Sequence, residues 1–449
     1  MLHKSSKFLL DISREYSIYV CENRAIPKVA DGLKDSQRKA IWAIRNKSEK
    51  IKTVSLGASL LSDYGYLHGD QAASSAISML AAPYVNNVPL IEGLGAFGTR
   101  VSPVDGIGSP RYTNVKRGKA LESFMLYDLD ILPMKEIYDG SAMEPVHFLP
   151  LIPTVLLNGV SGIAVGWSTD ILRRKFEDLV DACIDVLNGK KVKKLIPYYH
   201  LYDIDVKHLM DNSWEFSGKA KKVDSSTIRV TELPPDLSLE KFKERLNTFE
   251  DEGKINSYSD ASAKTIDITI KMQRGTIANW SDDKIRDFLK LTQKKTERIV
   301  VVDWNSSSIK QYESAEDVVT SFVDWRLKWY KTRYEKKFAD DSYELDYWLA
   351  VKECFDKKLP EKLQKFVSKK DVAEEVKKIT KKMDINEVQV DKIISLPSYR
   401  WTKDSYNDVL KNIADLQQNL TDYETLIKDP ELRKAVYLEE LKSLKKFKY

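Results

Sequence analysis

Residues Ser109-Pro110-Arg111-Tyr112-Thr113-Asn114-Val115-Lys116-Arg117-Gly118-Lys119 set one tyrosine among four cations, with no acid between them. This is what a tyrosine nucleophile aimed at a phosphodiester needs. A free phenol, with a pKa near ~10, is a weak nucleophile at neutral pH until positive charge, a metal or a base activates it. Arg111 would offer its planar fork to the same phosphate that Tyr112 attacks. The chain holds 22 tyrosines, most of them packing or surface residues, so this one draws its meaning from what surrounds it.

Other motifs carry less. Gly93-Leu94-Gly95-Ala96-Phe97-Gly98 has dinucleotide-binding spacing, but Pro103 and Pro110 fall where the helix should run. Asp128-Leu129-Asp130 lacks the acidic, glycine-rich turn of a metal loop and is read as structural. No P-loop pattern occurs, so this chain does not encode ATP binding of that kind. None of His3, His68, His147, His200 or His208 is followed by arginine three positions on, which sets aside a tyrosine recombinase.

With 449 residues, the chain is long enough for two to four domains with real cores. Its net charge is only +5, yet residues 34–52 alone carry seven bases against two acids. That local excess suits either a phosphate-tracking surface or a solvated helix face. Cys21, Cys183 and Cys354 lie far apart, indicating neither disulfides nor a zinc site and fitting a reducing cytoplasm. Phe8-Leu9-Leu10 is too short for a signal-peptide core. The uncharged run over 145–169 is broken by prolines and glycines. It is expected to be buried extended structure with a tight turn at Asn158-Gly159, and no membrane partner is expected.

Helices are expected over 36–45, 54–62 and 69–82. The small residues of the third would allow close approach to a DNA groove, or equally a tight helix contact. Residues 193–275 read as an α/β insertion, with strands at 227–231 and 265–270 around a helix at 239–249. No glycine follows Gly275, so the remainder should be mainly helical. There Val409, Ile413, Leu416, Leu420, Tyr423 and Ile427 keep a coiled-coil spacing, and Val323, Leu327, Tyr330 and Tyr334 begin a second seam. An antiparallel pair of arms with a small tip over 343–403 fits this pattern, and so does a simple helical bundle.

Arg24-Ala25-Ile26-Pro27, Asp31-Gly32-Leu33-Lys34 and Gln37-Arg38-Lys39 open a series that continues through His68-Gly69-Asp70, residues 92–98, Arg111-Tyr112-Thr113, Tyr138-Asp139-Gly140 and residues 157–166. In content and order the series resembles the breakage-reunion subunit of type IIA DNA topoisomerases, densely over 24–169 and more weakly beyond. The resemblance implies a multidomain α+β chain. Its parts would be an N-terminal arm (1–23), a winged-helix, that is helix-turn-helix, DNA-gate domain with the catalytic tyrosine (24–135), an α/β tower domain (136–310), and long antiparallel coiled-coil arms with a small helical exit-gate domain (311–449).

The same likeness implies that Tyr112 attacks a backbone phosphate and holds the 5' end, and that Arg111 stabilises the developing charge. Arg24 and His68 would line that site. Lys34, Arg38, Lys39, Thr113 and Lys116 would meet DNA, and Ile163 would wedge between base pairs. No residue of this chain would bind metal. Mg²⁺ and ATP would be held by a separate large subunit, and the partners would be double-stranded DNA, a second copy of this chain and that subunit. Tyr66-Leu67-His68 departs from the His-Pro-His of gyrase-type subunits, and Gln71 and Ser75 replace the usual drug-anchoring pair. Arg173, Arg174 and Lys175 replace a proline-rich segment and are expected to add phosphate contacts. The contrasting reading is a non-catalytic winged-helix architectural protein dimerised by its coiled coil.

Overall fold

The computed structural model describes Phe8, Ile12, Ser13, residues 15–305 and residues 308–449. Much of the expected N-terminal arm, including Leu9 and Leu10, lies outside the described residues. The chain divides into two compact units, Met1–Arg326 with Leu438–Tyr449, and Leu327–Tyr437.

In the first unit, helices form at Asp35–Ile44, Thr53–Ser62 and Asp70–Ala81, where apolar periodicity requires them. Ile41, Ile44, Leu56, Leu60, Ala73 and Ile77 are all buried. The first helix starts where the Gln37 side chain accepts a bond from Lys34 N at 2.9 Å. A Cβ on Gly57 would overlap Ser74 Oγ, so the small residues serve a tight contact between the second and third helices. The third helix also leaves Gln71, Ala72 and Ser75 exposed on its other face. An antiparallel sheet in the order β1-β3-β2 accompanies the helices, with β1 Ile51–Lys52 between the first and second and β2 Ile91–Leu94 and β3 Asn114–Arg117 after the third.

A hairpin of β4 Met134–Glu136 and β5 Met143–Pro145 leads into the uncharged run. The expected tight turn at Asn158-Gly159 is not the turn of a hairpin. Thr154–Leu157 is a helical turn, and Gly159, at φ +63°, redirects the chain after it. Asn158 is pinned instead, its amide group exchanging bonds with Val88 N at 3.0 Å and Val88 O at 2.9 Å. The true hairpin is β6 Val160–Ile163 with β7 Ser168–Ile171, closed by a bond from Ala164 N to Trp167 O at 2.8 Å.

The insertion contains β8 Asp205–His208, β9 Ser213–Ser217, β10 Lys219–Lys222, β11 Thr227–Glu232, β12 Ser257–Asp260, β13 Ile268–Lys271 and β14 Thr292–Thr296. They form two antiparallel sheets, ordered β10-β11-β13-β12 and β14-β9-β8. Strict alternation points Ile228, Val230, Ile268 and Ile270 into a core shared with Phe242 and Leu246 of the Leu239–Asp251 helix. β15 Ile299–Val302 pairs with β16 Ile309–Tyr312. The chain's last residues complete this unit, Phe447 lying 6.0 Å from the Phe124 ring and Tyr449 5.9 Å from Phe176.

The Ala315–Asp356 helix begins in the first unit, where buried Arg326 binds Asp128 Oδ2 at 2.6 Å. Asp128 is therefore an ion-pair partner. In the second unit the Lys403–Lys428 helix runs antiparallel to it: Tyr334 faces Tyr423 at 5.9 Å, Asp341 accepts from Asn419 at 3.1 Å, and Asp356 accepts from Tyr406 at 2.9 Å. One number rises as the other falls. Val409 and Ile413 sink into a core with Tyr347, Val351, Val376 and Ile393, while Leu416, Leu420, Tyr423 and Ile427 are half-buried.

Candidate functional site

Tyr112 stands at the end of a loop and immediately before β3, where backbone bonds fix it. The Thr53–Ser62 helix lends its first amides: Thr53 N donates to Thr113 O at 3.1 Å and Val54 N to Pro110 O at 3.2 Å. The Thr53 and Thr113 hydroxyls also bond at 2.9 Å. Thr113 is thus buried as a clamp and is not presented to a ligand. The result is a tyrosine that is 77% exposed on a backbone held by these bonds. Exposure of this degree on a pinned loop has no packing purpose.

Beside it, Arg111 is exposed, its guanidinium 5.7 Å from the Tyr112 ring centre and its Nε 3.3 Å from Ser109 Oγ. Lys116 faces Glu92 across β2–β3 at 2.9 Å and keeps partial exposure. Arg117 is tied to Arg45 O and Glu122, both at 2.7 Å.

Arg24 lies exposed in a single wide turn, Cys21–Ala25, and acts electrostatically on Tyr66. Burial pushes the Tyr66 phenol up, Asp35 adds to that, and Arg24 opposes it. Tyr66 stands 5.4 Å from His68, edge to face. The structure therefore forms two groups, Tyr112 with Arg111, and Arg24 with Tyr66 and His68. Among the described residues no hydrogen bond, ion pair or ring contact joins Tyr112 to Arg24 or His68.

The expected phosphate contacts need correction. Arg38 is 4% exposed and bonds Asp31 twice, at 2.7 and 2.9 Å, and Leu33 O at 2.7 Å. Burial would raise the Asp31 carboxyl, but the charge and bonds of Arg38 hold it below the ordinary range. Lys39 is buried against Glu144 and donates to Tyr64 O at 2.9 Å. Both cations are spent inside the fold. Arg174 is likewise enclosed, paired with Glu297 at 2.6 Å, so it does not add a phosphate contact. Arg173 donates to Tyr84 O at 3.1 Å and stacks on Tyr199 at 4.7 Å, and Lys175 stays partly exposed near Glu177. Of the basic run, Lys47, Lys50 and Lys52 are the exposed members.

Ile163 is 88% exposed at the end of β6, with Val165 and Trp167 exposed beyond it. Left in water, the isoleucine forgoes ~2 kcal/mol of burial, and Val165 and Trp167 extend the apolar surface beside it. At the base of this hairpin lies a cavity of about 410 Å³ lined by Lys34, Arg173 and Lys295 as well as Asp170 and Asp236. A groove of about 760 Å³ beside Ile163 adds Arg298, whose Nη1 donates to Ser168 Oγ at 2.8 Å. Lys295 and Arg298 escaped the sequence reading, because nothing in their own neighbourhood distinguishes them from strand-flanking cations.

The charged side chain set against the Tyr112 ring is Arg111, a group that meets a phosphate and ligates no metal. Among the described residues no three His, Cys, Asp or Glu side chains group to hold a metal ion. No described helix is long and apolar enough to cross a membrane.

A three-helix lobe with a small antiparallel sheet carries a pinned, exposed tyrosine beside an arginine, and in the second unit two long helices pair antiparallel. The family model for the A-type subunit of DNA gyrase and topoisomerase IV matches residues 24–442, and the chain belongs to that family. It is 28% identical over 402 residues to the DNA topoisomerase medium subunit of Enterobacteria phage T4, covering 87% of this chain and 88% of that protein. It is 32% identical over 321 residues to DNA topoisomerase 2 of Bombyx mori, covering 69% of this chain but only 21% of the insect protein. The chain thus spans about a fifth of the animal enzymes it matches. The DNA-binding, cleavage and re-ligation domain of Plasmodium falciparum topoisomerase II aligns with a TM-score of 0.83 and 25% identity, over 96% of this chain and 63% of that one.

Proposed function

We propose that this chain is the DNA cleavage and religation subunit of an ATP-dependent type II DNA topoisomerase, relaxing, decatenating or unknotting DNA. The observation that carries this is the 77% exposure of Tyr112 on a loop locked to a helix N-terminus, with Arg111 alongside. The Tyr112 oxygen attacks a backbone phosphorus, the bond to the 3' oxygen breaks, and the phenolic proton ends on the released 3' hydroxyl. The 5' phosphate stays on Tyr112 until the 3' hydroxyl reverses the exchange. Bond energy is retained, so rejoining needs no energy source. Arg111 stabilises the charge on the phosphoryl oxygens, and Arg24 and His68 line the same site when the complex is assembled.

In this reading the helix-and-sheet lobe is a winged-helix DNA gate within 24–135, the insertion within 136–310 is a tower, and 311–449 supplies arms whose tip, near 343–403, is an exit gate. Ile163 wedges into bent duplex, and Lys116 with the exposed Lys47, Lys50 and Lys52 faces its phosphates, while the Lys34 ammonium is turned onto Ser161 O. A two-fold pair of chains cuts both strands, since each Tyr112 severs one. The phage relative is named as one subunit of its enzyme, which supports a partner. We assign the Mg²⁺ carboxylates and the ATP site to that large subunit, and the work to the cytoplasm, of a host cell if the chain is phage-encoded.

The test is covalent. The chain, its partner subunit, duplex DNA and Mg²⁺ are mixed and denatured rapidly, and DNA carrying protein on its 5' ends is measured. Wild type should trap such ends and Tyr112→Phe none. Equal trapping by both would instead favour an architectural DNA-binding protein.

A further inference from the structure

The hairpin that presents Ile163 is fastened at two points to the turn that presents Arg24 and at a third to the start of the first helix. Lys34 Nζ donates to Ser161 O at 2.8 Å, which turns a side chain from the start of the first helix into a strut against β6. Gly162 lies flat on the carbonyl of Ala25, and a Cβ added there would overlap that oxygen. Gly162 has no positive φ, so its missing side chain answers to this contact and not to backbone freedom. Finally, Ala164 packs on the cluster of Cys21, Ala25, Ile26, Val300 and Val302, and the Cys21 thiol approaches Val165 O at 3.9 Å.

We infer that Gly162 and Lys34 are positioning residues that hold the Ile163 hairpin, the Arg24 turn and the start of the first helix as one body, so that seating the wedge sets the place of the arginine. The inference rests on the proposed roles of Ile163 and Arg24. A wedge and a catalytic cation on separately moving segments would let DNA bend without aligning the phosphate. Fastened together, they make bending and alignment one event. Misplacement by about 1 Å costs on the order of 100-fold in rate, which is the scale such a fastening protects.

The experiment combines the full chain, its partner subunit, and a duplex labelled at both ends, reading bend by energy transfer and cleavage at saturating enzyme. Ile163→Ala should lose the bend, and if it does not, the wedge reading itself fails whatever the other variants do. Gly162→Ala should bind and bend the duplex while cleaving it ~10- to 100-fold less. Lys34→Met, which removes a bond without adding atoms, should show the same split in milder form, and Lys34→Arg should recover most of it. Thermal melting within a few degrees of wild type certifies each fold. The inference is overturned if Gly162→Ala cleaves normally, if its cleavage falls only in step with its bend, or if the sole defect of Lys34→Met is a weaker salt dependence of binding.

Discussion

Arg38 Nε donates to Asp31 Oδ2 at 2.7 Å, and neither side chain reaches solvent. Asp31 also accepts from Leu33 N at 3.1 Å and Phe148 N at 3.0 Å, while its own carbonyl takes the Thr154 hydroxyl at 2.7 Å. The pair therefore joins the first helix to the segment entering the hairpin. Arg38→Met leaves a buried carboxylate with no counter-charge, and should cost ~3–5 kcal/mol. Urea unfolding measures it. Exposed Lys47→Met should change stability by no more than ~0.5 kcal/mol.

Arg111→Lys keeps the charge but loses the fork, so trapped covalent complex should drop ~100-fold while DNA affinity changes little. Rapid-quench cleavage assays beside binding titrations separate the two quantities.

Lys50→Gln and Lys52→Gln should each reduce the slope of log affinity against log salt by ~0.9, since each exposed ammonium neutralises one phosphate. Arg174→Met should leave that slope unchanged and lower the melting temperature, because Glu297 would be left buried without a counter-charge. A reduced slope for Arg174→Met would return that residue to the interface.

Arg100, on the loop leading to Tyr112, is buried against Glu232 of β11, donates to Leu233 O at 3.1 Å and covers the Tyr202 ring at 4.1 Å. Glu232→Gln weakens this anchor from the far side without touching the loop. Cleavage should fall several-fold, with DNA affinity preserved, in the same trapping assay.

His147 is buried, bonded at 3.1 Å to Phe148 O and set edge-on to Trp325 at 5.4 Å. Burial pushes its imidazole down to about 4, against a partial pull upward from Asp31. Between pH 6.5 and about 4 the unfolded chain takes up a proton that the native chain refuses. Stability from this group is therefore full above pH 6.5 and falls on acidification, by at most ~3 kcal/mol. Melting temperatures across that range should decline less steeply for His147→Gln.

Much of this was legible where the signal is local. Helices form close to 36–45, 54–62 and 69–82 because apolar periodicity and end signals lie within each segment, and the heptad spacing of 409–427 marked a helix that does pair with an antiparallel neighbour. What escaped is long-range. Arg38 and Lys39 look like surface cations until Asp31 and Glu144 are brought up, the latter 105 residues away, and Arg174 meets Glu297 only after 123 residues. Ile163 illustrates the opposite error, since composition alone assigns an isoleucine to a core. The hairpin around it was hidden by glycines that promised a turn at 158–159, where the chain instead leaves a helical turn.

The first unit needs Leu438–Tyr449 as well as the residues up to Arg326, and Phe447 and Tyr449 fill space against Phe124 and Phe176. During synthesis at roughly 5–20 residues per second, those rings leave the ribosome only after the whole of Leu327–Tyr437 has emerged. The body that carries Tyr112 waits several seconds without its closing segment, while the intervening helices are already able to pair. Maturation is thus ordered by the chain's route, and the part that would break DNA is sealed only after the intervening helices have emerged.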